Sequence, residues 1–379
     1  METVMRGKML CAFGAMTIYS GAYAQSSVTL YGIISDGIEY VSNAGGKRQV
    51  QMFSGAMNDD RFGFKVSENL GDGLSAVATL ENGFNVNTGA LKQGGREFGR
   101  QAWVGLSDRR LGTITFGRQY DMNWDFLTQL VPASGGGGLG VDVGDNDNAF
   151  GSYRYNNSVK YVSPVLSGMR FEGLYALSNE AGNNQQNRAM SFGVGYNRGP
   201  LYLALTYTDL DQPGAANPNG AVTDDYTAAP FQLFHSSPLS AKVGVDRQRT
   251  YGAGGSYTLG AFKLNVMLTD VNYRYLDQTS LHLDNGNATL NYQLNPSVLL
   301  SASYLYTLGN YGGVSANSGV HWNGGQLSAD YAFSVRTDVY VYSDLIKASG
   351  PRAIAVIFGN APSSSNTQTI FMAGIRHKF

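Results

Sequence analysis

The chain has 379 residues, among them 49 glycines, 24 tyrosines, 18 phenylalanines, 10 prolines and a single cysteine; 15% are charged and the formal net charge is −1. Low charge with many aromatics excludes a disordered chain, glycine without a three-residue period excludes collagen, and one cysteine excludes a disulfide scaffold. The charge balance gives no reason to expect a nucleic-acid partner.

Residues 1–24 read as a cleaved secretory signal peptide. Arg6 and Lys8 supply the positive start, Met9 to Ile18 is uncharged and mostly apolar, and Ala22-Tyr23-Ala24 ends the segment with small residues. Residues 25–379 are then the mature chain. Cys11 lies inside the leader, so the mature chain has no thiol. No later stretch reaches the eighteen consecutive apolar residues of a membrane helix. An exported chain of this kind is either a soluble β protein or an outer-membrane β-barrel, whose strands show only alternate residues to lipid.

From residue 27 onward the pattern has a period of two, which is the signature of strands. Leu201, Leu203, Leu205 and Tyr207 oppose Tyr202, Ala204, Thr206 and Thr208. Phe262, Leu264, Val266 and Leu268 oppose Lys263, Asn265, Met267 and Thr269. The alternation slips at Ser35-Asp36 and is ambiguous over 281–292. Short turns at 69–73, 109–112, 198–200, 259–260, 295–296 and 334–336 alternate with longer stretches at 86–98, 121–152, 179–189, 211–248, 308–322 and 348–367. Short turns at one end and long loops at the other predict an all-β, antiparallel up-and-down transmembrane barrel of about sixteen strands. A soluble sandwich would place charge on the second face. Here that face is mostly Ser, Thr, Asn and Tyr, which suits a wet lumen with lipid outside.

The last strand, 369–379, puts Phe371, Ala373, Ile375, His377 and Phe379 on one face and Met372, Gly374, Arg376 and Lys378 on the other. An alternating last strand with a terminal Phe resembles the recognition signal read by the barrel-assembly machinery. Phe379 is therefore the candidate assembly signal.

Seven stretches in order resemble the Gram-negative general porins of the β-proteobacterial group. They are Ser27-Val28-Thr29-Leu30-Tyr31-Gly32, Arg61-Phe62-Gly63-Phe64-Lys65, Glu81-Asn82-Gly83-Phe84, Gly99 to Leu106, Gly117-Arg118-Gln119-Tyr120, Tyr155 to Tyr161, and Gly374 to Phe379. The resemblance implies a sixteen-stranded barrel, a homotrimer in the outer membrane among lipid and lipopolysaccharide, and passive diffusion of small hydrophilic solutes and ions. It also implies that the third loop, 121–152, folds into the lumen. That stretch carries Asp121, Asp125, Asp142, Asp145 and Asp147, no basic residue, and the bendable run Gly135 to Gly138.

Opposite an acidic loop such porins place basic wall residues. Parity sends Arg61 and Lys65 inward, because Phe62, Phe64 and Val66 suit lipid. With Trp103 taken as lipid-facing, Arg100, Ala102 and Val104 point inward. With Tyr153, Tyr155, Val159 and Tyr161 on lipid, Arg154, Asn156, Ser158 and Lys160 point inward. Arg61, Arg100 and Arg154 also match the family's constriction cluster. Such a cluster facing carboxylates would set up a transverse field across confined water. Arg118 shares the apolar parity of Ile114 and Phe116, which makes it a candidate trimer contact. Loop carboxylates turned toward the wall would neutralise the cluster, and carboxylates lying elsewhere would let the arginines dominate; a weak anion preference is expected.

An enzyme reading would need a gathered catalytic set. His235, His282, His321 and His377 are scattered, so no catalytic residue, metal site or cofactor is expected. A substrate-specific sugar porin or a structural barrel is the alternative, with Tyr202, Tyr340 and Tyr342 pointing inward by parity but scattered rather than forming an aromatic slide.

Overall fold

The computed structural model describes residues 26–213, 217–227, 233–315 and 318–379; the leader expected at 1–24 lies outside them. Seventeen strand segments form one antiparallel sheet that closes on itself. In chain order they are β1 (Ser27–Ala44), β2 (Lys47–Met52), β3 (Arg61–Gly71), β4 (Leu74–Gly83), β5 (Gln101–Asp108), β6 (Gly112–Gln119), β7 (Tyr155–Val162), β8 (Met169–Ala176), β9 (Arg188–Arg198), β10 (Leu201–Asp211), β11 (Val245–Leu259), β12 (Phe262–Tyr275), β13 (Ser280–Asn295), β14 (Val298–Gly312), β15 (Gly319–Ala332), β16 (Thr337–Ser349) and β17 (Thr367–Lys378). Both β2 and β3 pair with β1, at its upper and lower ends, so together they make one stave of a sixteen-stranded barrel. β1 also pairs with β17, from Ile33↔Lys378 to Val41↔Ile370, which leaves no free edge.

The turns that end β3, β5, β9, β11, β13 and β15 lie at one end, while the two-residue turn Gly45-Gly46 joins β1 to β2 at the other. The β3–β4 turn uses positive backbone angles at Asp72 and Gly73, φ 51° and 88°. At the other end are the loops, including the third (120–154), the fifth (212–244) and the eighth (350–366). The stretch expected as a loop at 308–322 is mostly strand, since β14 continues to Gly312 and β15 begins at Gly319.

Outward side chains in the lower barrel are apolar and exposed, as at Leu203, Leu205, Leu264 and Leu268. Water would penalise such a band, and lipid does not. On β12 and β13 the pattern inverts partway up. Below, Leu264, Leu268 and Leu290 face out while Asn265, Thr269 and Asn291 face in. Above, Asp270, His282 and Asp284 face out while Val271, Tyr273, Leu281 and Leu283 are buried inside. These strands rise past the lipid, so the outer face becomes the wet one. Their inner face packs on loops: Phe234 of the fifth loop, Val143 of the third, and Ala355, Val356 and Ile357 of the eighth. This inversion is the physical cause of the ambiguous alternation over 281–292.

The third loop crosses the lumen. Asn291 Nδ2 donates to Gly135 O (2.5 Å), Gln326 Nε2 to Pro132 O (3.1 Å), Gly140 N to Gln326 Oε1 (2.7 Å) and Leu139 N to Asp344 Oδ2 (3.1 Å). A Cβ at Gly136 would already press on Ser301 and Thr289, so the glycine run serves close approach to the far wall.

Candidate functional site

Arg61 sits at the start of β3 on the inner face, because Phe62 and Phe64 take the outer one. Its Nε lies 3.9 Å from Glu81 Oε2. Arg100 precedes β5, is 2% exposed, and donates from Nε to Glu81 Oε1 (2.8 Å) and from Nη1 to Asp59 Oδ2 (2.7 Å). Arg154 precedes β7 and donates from Nη2 to the Tyr120 hydroxyl (2.6 Å) and from Nη1 to Ser152 O (3.2 Å). The guanidinium carbons of Arg100 and Arg154 stand 5.9 and 4.7 Å from the centre of the Tyr120 ring. Glu81 therefore links Arg61 to Arg100, and Tyr120 links Arg100 to Arg154.

Parity reaches the first of these residues by the right route and the other two by the wrong one. On β5 the lipid-facing residues are Val104 and Leu106, whose cross-strand neighbours Phe116 and Ile114 are exposed. Trp103 lies beside Thr79 and Gly117 on the inner face and donates to Gln101 Oε1 (3.0 Å). Arg100 escapes strand parity because it belongs to the loop end. On β7, Ser158 and Lys160 do face in. Tyr153 and Tyr155 do not face lipid; both are buried, and the Tyr155 hydroxyl donates to Asp121 (3.1 Å). A register shift between Gly117 and Gln119, with Gly117 at φ 136° and Asn157 at φ 51°, resets the alternation there.

The loop aspartates do not oppose the arginines. Asp121 accepts from Trp124 N (3.0 Å) and Asn148 Nδ2 (3.3 Å). Asp142 accepts from Asn287 Nδ2 (2.9 Å), and Asp147 from Thr269 Oγ1 (2.8 Å), so both hold the loop to the opposite wall. Asp145 accepts from Ser152 Oγ (2.6 Å) and Phe150 N (3.0 Å). Asp125 alone meets a wall cation, Lys160, whose Nζ also lies 3.8 Å from Glu172. Lys65 stays exposed to the lumen, 4.8 Å above the Tyr31 ring. Burial pushes Asp121 up to about 6, and burial with the charge of Asp147 pushes Asp145 up to about 8. Asp142 is raised for the same two reasons.

The carboxylates that do meet the arginines are Glu81 on β4 and Asp59. Asp59 lies in the 53–60 excursion between β2 and β3. Burial would raise its pKa, but Lys92, Arg100 and Arg154 outweigh burial and hold it well below the usual carboxylate range. Glu81 was legible, since it stands in a matched stretch and faces inward by the alternation of β4. Nothing in the sequence marks Asp59, whose position depends on the excursion.

Arg118 is buried and met within its own chain. Its Nη2 lies 2.5 Å from Asp225 Oδ2, in the short helix α1 (Asp224–Thr227) of the fifth loop, and its Nε donates to Gly99 O (2.8 Å). Its charge is thus matched without a neighbouring subunit, which removes the reason for reading it as a trimer contact.

The three tyrosines expected inside are there, but their hydroxyls are engaged: those of Tyr202 and Tyr342 donate to Phe126 O of the third loop and Ala56 O of the 53–60 excursion, each at 2.8 Å, and Tyr340 shares a 2.9 Å bond with Ser35 Oγ on β1. Of the histidines, His235 is half-buried and stacks on Tyr226, ring centres 3.7 Å apart, and desolvation lowers its pKa to about 4. His282 has partners that the sequence hid. Register sets it beside Asp270 (2.8 Å) and Asp284 (3.6 Å) on the outer rim, an exposed group remote from the lumen.

A family model described as Gram-negative porin matches residues 11–350. An outer membrane porin protein of Bordetella pertussis is 34% identical over 283 residues, covering 68% of this chain and 67% of that protein. Among solved structures, an anion-selective porin from Comamonas acidovorans superposes with a TM-score of 0.75 at 20% identity, covering 94% of this chain and 100% of that one. In-vitro folded OmpT of Vibrio cholerae, in a trimer form, gives 0.66 at 14% identity, covering 93% and 99%.

Proposed function

This chain belongs to the Gram-negative porin family and is an outer-membrane porin channel, and from that premise we propose that it passes small hydrophilic solutes and ions passively through an eyelet bounded by Arg61, Arg100 and Arg154. The observation that carries this reading is the linkage of the three guanidiniums through Glu81 and Tyr120 on one side of a lumen narrowed by the third loop. Lys65 and Lys160 extend the basic wall on the same inner face.

The eyelet prefers anions. Glu81 and Asp59 offset part of the positive charge, and four of the five loop aspartates are turned to other partners. A field that stays positive in confined water raises the local concentration of anions. The similarity to an anion-selective porin accords with this preference.

The channel works as a homotrimer, as the trimer form of OmpT suggests by analogy. Its apolar outer band faces lipid, its upper rim faces lipopolysaccharide, and its terminal Phe379 is read by the barrel-assembly machinery. The zero-current potential of the purified protein in a planar bilayer under a KCl gradient tests the reading. A potential of the sign set by chloride is expected, with conductance in steps of three. No ion conductance would overturn the channel, and a cation-signed potential would overturn the arginine eyelet.

A further inference from the structure

A cavity of about 350 Å³ lies at the mouth, between the 53–60 excursion and the third and eighth loops. One part of its wall is cationic, formed by Lys92 and Arg154. Another is aromatic, formed by Phe53, Phe150 and Phe358. Phe150 and Phe358 meet edge to face, ring centres 5.2 Å apart at 89°. All three phenyl rings remain partly exposed, which costs free energy in a water-filled entrance and is relieved when an apolar body covers them.

The two carboxylates on the cavity wall are already engaged by cations. Asp59 is held by Arg100 at 2.7 Å and by Lys92 at 3.2 Å, and Asp225 by Arg118 at 2.5 Å. The guanidinium of Arg154, by contrast, bonds neutral oxygens of Tyr120 and Ser152. Its Nε is buried and has no protein hydrogen-bond partner. Arg154 is 3% exposed, so its charge is fixed in place by its surroundings. A positive donor beside partly exposed rings is complementary to one kind of small solute: a flat apolar body ending in an anion.

We propose that this cavity binds small aromatic carboxylates on their way to the arginine eyelet, with the ring against Phe150 and Phe358 and the carboxylate toward Arg154. The inference rests on the channel reading and adds the solute class. A purely hydrophilic anion would use the cationic wall and leave the rings uncovered. A neutral sugar would leave Arg154 without a direct ion pair.

The test is current block by benzoate and by acetate, added to the full-length protein in planar bilayers bathed in KCl. Block is scored as a fraction of each protein's own KCl current. Benzoate is expected to reach half-block at a concentration about ten-fold lower than acetate, the ratio that about 1.4 kcal/mol of extra contact supplies. Phe358→Ala should bring the two anions within about two-fold, and Phe358→Leu, which keeps apolar bulk, should retain part of the gap. Arg154→Gln should weaken block by both. Equal block by benzoate and acetate in the unaltered protein, with KCl current intact, overturns the aromatic site while leaving the channel standing. So does a benzoate preference that Phe358→Ala and Phe150→Ala leave unchanged. Absence of KCl current overturns both readings together.

Discussion

Gly32 and Phe379 exchange both of their backbone hydrogen bonds, each at 3.0 Å, so the last residue of the chain is stitched to the first strand. The terminal ring occupies the space a side chain at position 32 would need, and the Arg61 carbonyl oxygen would lie only 2.8 Å from that Cβ. The residue expected from sequence to be an assembly signal is therefore also part of the closing seam.

Gly32→Val should overpack this seam and cost about 1–3 kcal/mol. The expected readout is a lower urea midpoint for the folded band on unheated gels. Because one of the clashing groups is the Phe379 ring, Phe379→Ala should relieve part of the defect, giving a non-additive double variant. Strict additivity would mean the ring and the glycine do not share the site.

At the eyelet, charge changes should act in opposite directions. Arg154→Gln removes a cation without stranding a carboxylate, because its partners are neutral oxygens. Asp59→Asn removes a carboxylate that offsets Lys92 and Arg100. One charge at about 4 Å in water-like surroundings is worth about 1 kcal/mol, up to about five-fold in local ion ratio. The zero-current potential should move toward cations in the first variant and toward anions in the second. Movement of both in one direction would rule out this assignment of charges.

The lower barrel was legible because lipid outside and water inside impose one alternation on every strand, as Leu264 and Asn265 illustrate. Above the lipid that rule reverses, and Leu281 with His282 could not be assigned by periodicity alone. Trp103 departs from the expected face for a related reason. Large apolar residues are expected on lipid, yet this one has an inner-face partner for its ring nitrogen in Gln101. The arginine cluster is legible through resemblance more than through parity. Its counter-charges Asp59 and Asp225 come from an excursion and a loop helix whose positions are set by tertiary contacts, to which a period of two is blind.

Asp225 matters to the fifth loop. Asp225→Asn leaves the buried Arg118 guanidinium without its counter-charge, a change that typically costs about 3–5 kcal/mol. The barrel, held by its sheet, should keep its far-ultraviolet spectrum, while the fifth loop becomes cleavable by added protease. Converting both partners to Met and Leu should cost less than the single change. Unchanged loop protection in Asp225→Asn would show that the ion pair does not anchor the loop.

The third loop should loosen with alkali. Asp145 is raised to about 8, first by burial and then by the charge of Asp147. Its ordinary value is about 3.9, so the unfolded chain gives up this proton far more readily than the folded loop. The stabilising contribution is fully present below about pH 4 and is lost as pH rises through the folded value near 8. Ionisation there sets a second negative charge beside Asp147 within a loop wedged across the lumen. Open-channel current noise should therefore rise across a midpoint near pH 8. Asp147→Asn removes the neighbouring charge and should move that midpoint downward, while the bond from Thr269 can persist to the amide oxygen. A noise level flat from about pH 6 to 9, or a midpoint indifferent to Asp147→Asn, would show that this carboxyl does not hold the loop.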